Sequence, residues 1–275
     1  MPCIAVATDF SPRADRAIDR AKLLQAQMGG DLCVIHATNL PSDDTPDLDA
    51  LNRNMRLATG LSGKEEDVTF LYPSGSVPQA IANSCENSGA DVLILGPARY
   101  NSLGDFFLGT AVDYILRSTI RPVLVVKERA NEGYKEIVAG TDFSPGSAHA
   151  ILTASKMFPD VRFHIVHAWY VPFQAFNQDA YVADEIEADS KASMNKFMTE
   201  LAARDSNLAN ATSQLVRGDT VHALRQGLEC HPSALVVLGS HGASGFRQAT
   251  IGSVTSDLLR YLDSDTLVIN SADAH

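Results

Sequence analysis

"GTDFSP", Gly140 to Pro145, repeats "ATDFSP", Ala7 to Pro12, within one chain of 275 residues. A second pair follows each copy: "VIHA" at Val34–Ala37 returns as "IVHA" at Ile165–Ala168. Late in each half the register is constant. Gly75, Gly96, Gly109 and Arg117 match Gly218, Gly239, Gly252 and Arg260, all at a spacing of 143 residues. The Asp9–Asp142 spacing is only 133, so the second copy carries about ten extra residues in its middle, around "YVPFQAFNQDAYVADEIEADS". An internal repeat of this length is a duplicated domain, and the chain length agrees with two domains of ordinary size.

Each half reads as five strands alternating with four helices. In the first half, strands are expected near 3–8, 31–37, 67–72, 91–95 and 122–127, and helices over 12–28, 48–60, 75–88 and 109–119. The second set of strands is expected near 136–140, 161–168, 211–216, 233–238 and 265–270. The strands are short, rich in Val, Ile and Leu, and barely alternating. That is the pattern of strands buried on both faces of a parallel sheet. The fold class is therefore α/β: two open, doubly wound, five-stranded parallel sheets in tandem, of the flavodoxin-like or Rossmann-like kind. The domains are expected at 1–130 and 131–275, joined by the short polar stretch "KERANEGYK", Lys127 to Lys135.

The bulk numbers exclude several classes. A net charge of −11 disfavours general binding to nucleic acid or to an anionic membrane. It does not exclude a phosphate site made of backbone N–H groups, which needs no basic side chain. Cys3, Cys33, Cys85 and Cys230 have neither zinc-site nor disulfide spacing, so buried, reduced thiols are expected. "MPCIAVATDF" lacks a basic n-region, and no apolar run approaches the ~18 residues of a membrane span. A cytoplasmic location is expected.

Doubly wound sheets bind ligands beyond the carboxyl ends of their strands, where strand order reverses. In the second half two segments leave the sheet there, "TDFSP" after strand 1 and "GSHGASGFRQATIGS", Gly239 to Ser253, after strand 4. The second segment exceeds the ~2–6 residues of a plain connection and supplies Gly239, Gly242, Gly245 and Gly252. Glycine lets a ligand approach the backbone closely. Gly252-Ser253 opens a helix, whose unpaired N–H groups and positive dipole end suit an anion. Glycines after a strand also make plain turns, and Ser253 could be a simple N-cap. Neither G-x-x-x-x-G-K-[ST] nor a G-x-G-x-x-G after strand 1 is present.

"GSHGASGFRQATIGS" has the form G-x2-G-x9-G-[S/T] and, together with the two "TDFSP" segments, resembles the ATP-binding pattern of the universal stress protein family. The resemblance spans essentially the whole chain as two fused copies. It implies ATP as ligand, with Mg2+ or Mn2+ beside the phosphates. Thr141 and Asp142 would meet the adenine–ribose end, and Ala168 would offer backbone groups to adenine. Gly239 and Gly242 would line ribose and phosphates, with Ser240, His241 and Gly245 in the same loop. Gly252, Ser253, Val254 and Thr255 would bind phosphate. The resemblance also implies that the two domains pair about a pseudo-twofold through their fifth strands, with a further homodimer besides; the alternative is that these edges pair between chains, as an open or swapped oligomer. Neither fifth strand, "PVLVVK" or "TLVIN", has a Lys or Pro in its middle to protect an open edge.

The first half departs from the pattern. "GPARYNSLGDFFLGT" keeps Gly96, Gly109 and Thr110 but has Arg99 in place of the second glycine, and Pro97 removes an N–H donor. If that position needs φ > 0, a Cβ costs roughly 1–2 kcal/mol. A degenerate site is expected there, with a weaker nucleotide site or a different ligand as alternatives. His36 and His167, which end matching strands, read as structural histidines rather than ligands. The "SMNK" string, Ser193 to Lys196, reads as an exposed helix face, and "PSDDTPDLD", Pro41 to Asp49, as a solvated loop. No nucleophile–base–orienter set is evident. The expected function is nucleotide-dependent binding or signalling in a stress response. Slow ATP hydrolysis, or an interaction scaffold with a vestigial site, are the alternatives.

Overall fold

The computed structural model describes residues 2–38, 47–61, 67–97, 110–171, 180–240 and 252–270. The chain divides into two compact units, Met1–Gly133 and Tyr134–His275. The first contains β1 (Cys3–Ala7), α1 (Pro12–Met28), β2 (Asp31–Ile35), α2 (Leu48–Thr59), β3 (Val68–Leu71), α3 (Val77–Asn87), β4 (Val92–Leu95), α4 (Thr110–Ser118) and β5 (Val123–Val125). Its strands pair in parallel in the order β3-β2-β1-β4-β5. The second unit contains β6 (Glu136–Gly140), α5 (Pro145–Met157), β7 (Arg162–Trp169), α6 (Ala180–Arg204), β8 (Thr212–Arg217), α7 (Thr220–Cys230), β9 (Leu235–Gly239), α8 (Ser253–Tyr261) and β10 (Thr266–Ile269). Its order, β10-β9-β6-β7-β8, is the same topology.

The central strands are apolar because helices cover both faces. Ile4, Val6, Val34, Leu93 and Ile94 are fully buried in the first unit, and Ile137, Val138, Leu235 and Val236 in the second. Each such side chain contributes roughly 1.5–3 kcal/mol of apolar burial. The extra residues of the second copy enter a helix. The second helix of its repeat, α6, has 25 residues against 12 in α2. Met194, Phe197 and Leu201 face inward from it, whereas Ser193, Asn195 and Lys196 are exposed, so the polar residues of "SMNK" lie on the helix surface.

The segment after β5 is held by the first unit. Arg16 donates to the Lys127 carbonyl at 2.6 Å and the buried Arg20 to the Glu132 carbonyl at 2.8 Å. Tyr134 then buries its ring in the second unit and donates its hydroxyl to the buried Asp265 carboxylate at 2.6 Å.

All four cysteines are unbridged. Burial pushes the Cys33 thiol up to about 11 and the Cys85 thiol up to about 12, which leaves them unreactive at neutral pH. Cys230 departs from the expectation of burial: it is exposed at the end of α7.

Glu86 ties α3 to the turn between α4 and β5. Its carboxylate accepts from Thr119 Oγ1 at 2.6 Å, Ile120 N at 3.1 Å and Arg121 Nε at 3.2 Å. Burial alone would raise its pKa, but these donors outweigh it and hold the carboxyl below its ordinary 4.5. A depressed folded value stabilises above the unfolded one and is lost as pH falls through the folded one. Glu86→Gln is therefore expected to cost about 1 kcal/mol at neutral pH, allowing for partial solvent screening. The difference from wild type should shrink as the pH drops below the ordinary 4.5. Urea titrations of both proteins at several pH values check this, and a pH-independent difference would reject it.

Candidate functional site

"TDFSP" builds the same turn twice. In the second unit Thr141 N donates to the Val166 carbonyl at 3.0 Å, extending the β6–β7 ladder by one bond. Thr141 Oγ1 accepts from Phe143 N at 2.9 Å, and Asp142 Oδ1 accepts from Ser144 N at 3.0 Å. Ser144 then caps α5 by accepting from Ser147 N at 3.1 Å, with Pro145 in the first helical turn. In the first unit Thr8, Asp9, Phe10 and Ser11 repeat these bonds at 3.0, 3.1 and 2.9 Å, and Ser11 caps α1. Both phenylalanines have positive φ, 58° at Phe10 and 62° at Phe143. That backbone region costs a side chain about 1–2 kcal/mol, so the surrounding bonds must over-determine it.

The two histidines hold this turn. His167 Nδ1 lies 2.8 Å from the Thr141 carbonyl, and His36 Nδ1 lies 2.9 Å from the Thr8 carbonyl. The His167 ring stacks on Phe143 at 4.0 Å, and His36 packs on Phe10 at 4.6 Å. Phe143 has a further edge contact with Phe197 at 5.6 Å. Both rings thus have structural partners, and His36 also lines an apolar cleft of the first unit.

The switch point of the second unit lies between β6 and β9. Ala139 pairs with Val237, so the exits at Gly140 and Leu238 are side by side. Asp142 and Gly239 thus leave adjacent strands at one carboxyl edge, and Ala168 lies one residue before the end of β7 on the other side of β6, partly exposed. Ser240 is buried and donates its N–H to Ile269. Its carbonyl accepts from Gly252 N at 3.0 Å, which returns the chain to the edge it left. A Cβ on Gly252 would lie 3.3 Å from that carbonyl, a tight contact that a larger residue would relieve only by a shift of a few tenths of an ångström.

Gly252 is the N-cap of α8, and Ser253 is the first helical residue rather than the cap. No side chain among the described residues caps this terminus. The N–H groups of Ser253, Val254 and Thr255 have no acceptor inside the helix, and Ser253 and Val254 are exposed. The Thr255 hydroxyl donates to the Gly239 carbonyl at 3.0 Å and ties α8 to the end of β9. His241, Gly242 and Gly245 lie outside the described residues, as do Arg99 and Gly109 of the first half.

In the first unit Gly96 leaves β4 where a Cβ would lie 3.0 Å from the Arg13 carbonyl. A mainly apolar cleft of about 620 Å³ opens beside the end of β2, lined by Phe10, Ala37, Leu51, Met55, Ala58 and Tyr72 among others.

Two doubly wound α/β units, each with a polar turn after its first strand and a glycine-led exit from its fourth, define a tandem α/β protein built from one repeated fold. The profile of the universal stress protein family matches residues 3–127 and again 133–270, and the chain belongs to that family. Among solved structures, a universal stress protein from Pseudomonas aeruginosa UCBPP-PA14 is similar at a TM-score of 0.70 and 19% identity, over 100% of this chain and 95% of that one. One from Archaeoglobus fulgidus DSM 4304 reaches 0.68 at 14% identity, over 98% of both chains. No curated protein sequence matches the chain. No helix among the described residues is long and apolar enough to cross a membrane.

Proposed function

We propose that the second unit binds ATP, accompanied by a divalent ion, as a regulatory ligand rather than as a substrate for fast turnover. The start of α8 carries this reading. Three N–H groups stand at a helix terminus on the switch-point edge that no side chain among the described residues caps, and Gly252 makes a close backbone approach there. Such a terminus suits phosphate by dipole and by hydrogen bonding. Gly239, His241, Gly242 and Gly245 would complete the phosphate side, and Thr141, Asp142 and Ala168 the nucleoside side, whereas Ser240, expected beside them, is buried with its backbone N–H and carbonyl already bonded. The hydroxyls of Thr141, Ser144 and Ser147 bond one another and the neighbouring backbone. His167 is committed to the Thr141 carbonyl. These commitments favour binding over catalysis.

Mass spectrometry of the protein denatured directly after purification tests the reading, followed by calorimetry. An adenine nucleotide near one per chain, or an ATP isotherm with one site, is expected. Nucleotide-free protein with no heat of ATP binding would refute the proposal. Phosphate release near a median enzyme rate of about 10 per second would replace binding with catalysis.

The apolar cleft favours a second reading for the first unit: a ligand that is apolar and carries no triphosphate. In a Gly242→Arg background, titration with ATP and with 1-anilinonaphthalene-8-sulfonate separates the two, since only the apolar probe should then bind.

A further inference from the structure

At the amino-terminal edge of the second sheet, away from the switch point, three side chains from three elements converge. Glu136 opens β6, His164 lies in β7, and His231 caps the carboxyl end of α7. Register explains the meeting. Glu136 pairs with Arg162 and Val138 with His164, so Glu136 and His164 project from the same face. The α7 helix packs on β6 and β7 and delivers His231. One potential ligand atom from each residue lies within 4.8 Å of the other two.

The hydrogen bonding leaves this cluster incomplete. His164 Nδ1 is 2.6 Å from Thr212 Oγ1, on the strand beside it. With Nδ1 donating there, Nε2 carries a lone pair. That atom is buried and has no hydrogen-bond partner among the described residues. It lies 3.8 Å from Glu136 Oε1, beyond hydrogen-bond reach. A buried lone pair beside a carboxylate oxygen is unfavourable unless something positive joins them. Two donors held on one zinc at about 2.0–2.1 Å in tetrahedral geometry are roughly 3.3 Å apart. The 3.8 Å gap is near that spacing. His231 Nδ1 is 2.9 Å from Glu136 Oε2, where zinc would replace the shared proton.

We propose that Glu136, His164 and His231 form a binding site for a divalent transition-metal ion of the zinc type. The ligands are His164 Nε2, His231 Nδ1 and the Glu136 carboxylate, with solvent in the fourth position. Thr212 holds the His164 ring in the ligating tautomer, the usual role of an outer partner. The imidazoles now stack at 3.6 Å and 19°, so binding fans them apart. Arg162 donates to Glu136 Oε1 at 2.7 Å from an exposed position, and it either moves or retains an outer bond. Zinc fits this nitrogen and oxygen set better than calcium or magnesium, which prefer oxygen alone.

The test uses the full chain, stripped with chelator and free of nucleotide. Equilibrium dialysis against Zn2+ should give one tight site per chain, and Co2+ should produce the intense visible absorption of a four-coordinate site. His231→Gln and Glu136→Gln should each weaken Zn2+ binding by at least about 10-fold and abolish the Co2+ band. Thr212→Val should weaken binding by about 10–100-fold through the His164 orientation. Metal-free circular dichroism establishes that each variant is folded, and a variant that is not is replaced by Arg162→Ala. That change frees a Glu136 oxygen and should tighten Zn2+ binding. Zinc stoichiometry unchanged in His231→Gln, a weak six-coordinate Co2+ spectrum, or no wild-type binding at 100 μM-order Zn2+ would each overturn the proposal.

Discussion

Gly242→Arg is expected to abolish the response of the protein to ATP. Wild-type chain with free ATP at 100 times its dissociation constant should gain about 2.7 kcal/mol of unfolding stability, or roughly 5–10 °C in Tm for a protein of this size class. The substitution writes into the second half what the first half already contains, since Arg99 stands at the position matching Gly242. An arginine there brings a Cβ and a long side chain to a position where the G-x2-G-x9-G-[S/T] pattern has none. Differential scanning calorimetry with and without ATP decides the matter. A variant that keeps the full shift, or a wild-type isotherm with two equal sites, would reject the assignment of the second half as the nucleotide unit.

Phe158→Ala should destabilise the second unit by about 3–5 kcal/mol. Phe158 follows α5, is among the largest fully buried side chains, and meets Tyr134 edge-on at 6.0 Å. Removing the ring leaves a cavity between the first residue of the unit and its first helix, where little can collapse to fill it. Tyr134→Phe, in contrast, keeps the packing and removes only the 2.6 Å bond to Asp265. It should cost about 1–3 kcal/mol because a buried carboxylate loses a donor. Trp169, the single tryptophan of the chain, lies in β7 and reports on this unit alone. Urea unfolding followed by its fluorescence should show the larger loss for Phe158→Ala. A loss under 1 kcal/mol would mean that the site repacks.

The elements were legible because the local signals agree with the global fold. Apolar runs bounded by polar turns mark β1, β4, β6 and β9. Ser11-Pro12 and Ser144-Pro145 begin helices where a cap followed by proline should begin them. The exit and return of the glycine segment were legible for the same reason. Gly252 makes a close contact of the backbone with itself, which favours a residue without a side chain and leaves a residue-type signature. The Glu136, His164 and His231 cluster left none. Its members are 28 and 67 residues apart along the chain, and only the register of β6 on β7 and the packing of α7 bring them together. Histidines at strand ends are conspicuous in a sequence, whereas His164 in mid-strand reads as an ordinary strand residue. The positive φ of Phe10 and Phe143 was equally hidden, because the left-handed region favours glycine or asparagine and not an aromatic residue.

Those two phenylalanines supply an internal control that duplication wrote into the molecule. Their backbones match to within a few degrees, 58° and 62°, and both rings rest on a histidine. Only Phe143 has the second aromatic neighbour, Phe197, among the described residues. Phe10→Gly and Phe143→Gly relieve the same backbone strain in the same chain, solvent and preparation. Their difference therefore removes the conformational part, which no single substitution separates from packing. What survives the subtraction is the worth of the surroundings of one ring, about 0.5–1.5 kcal/mol for an aromatic pair.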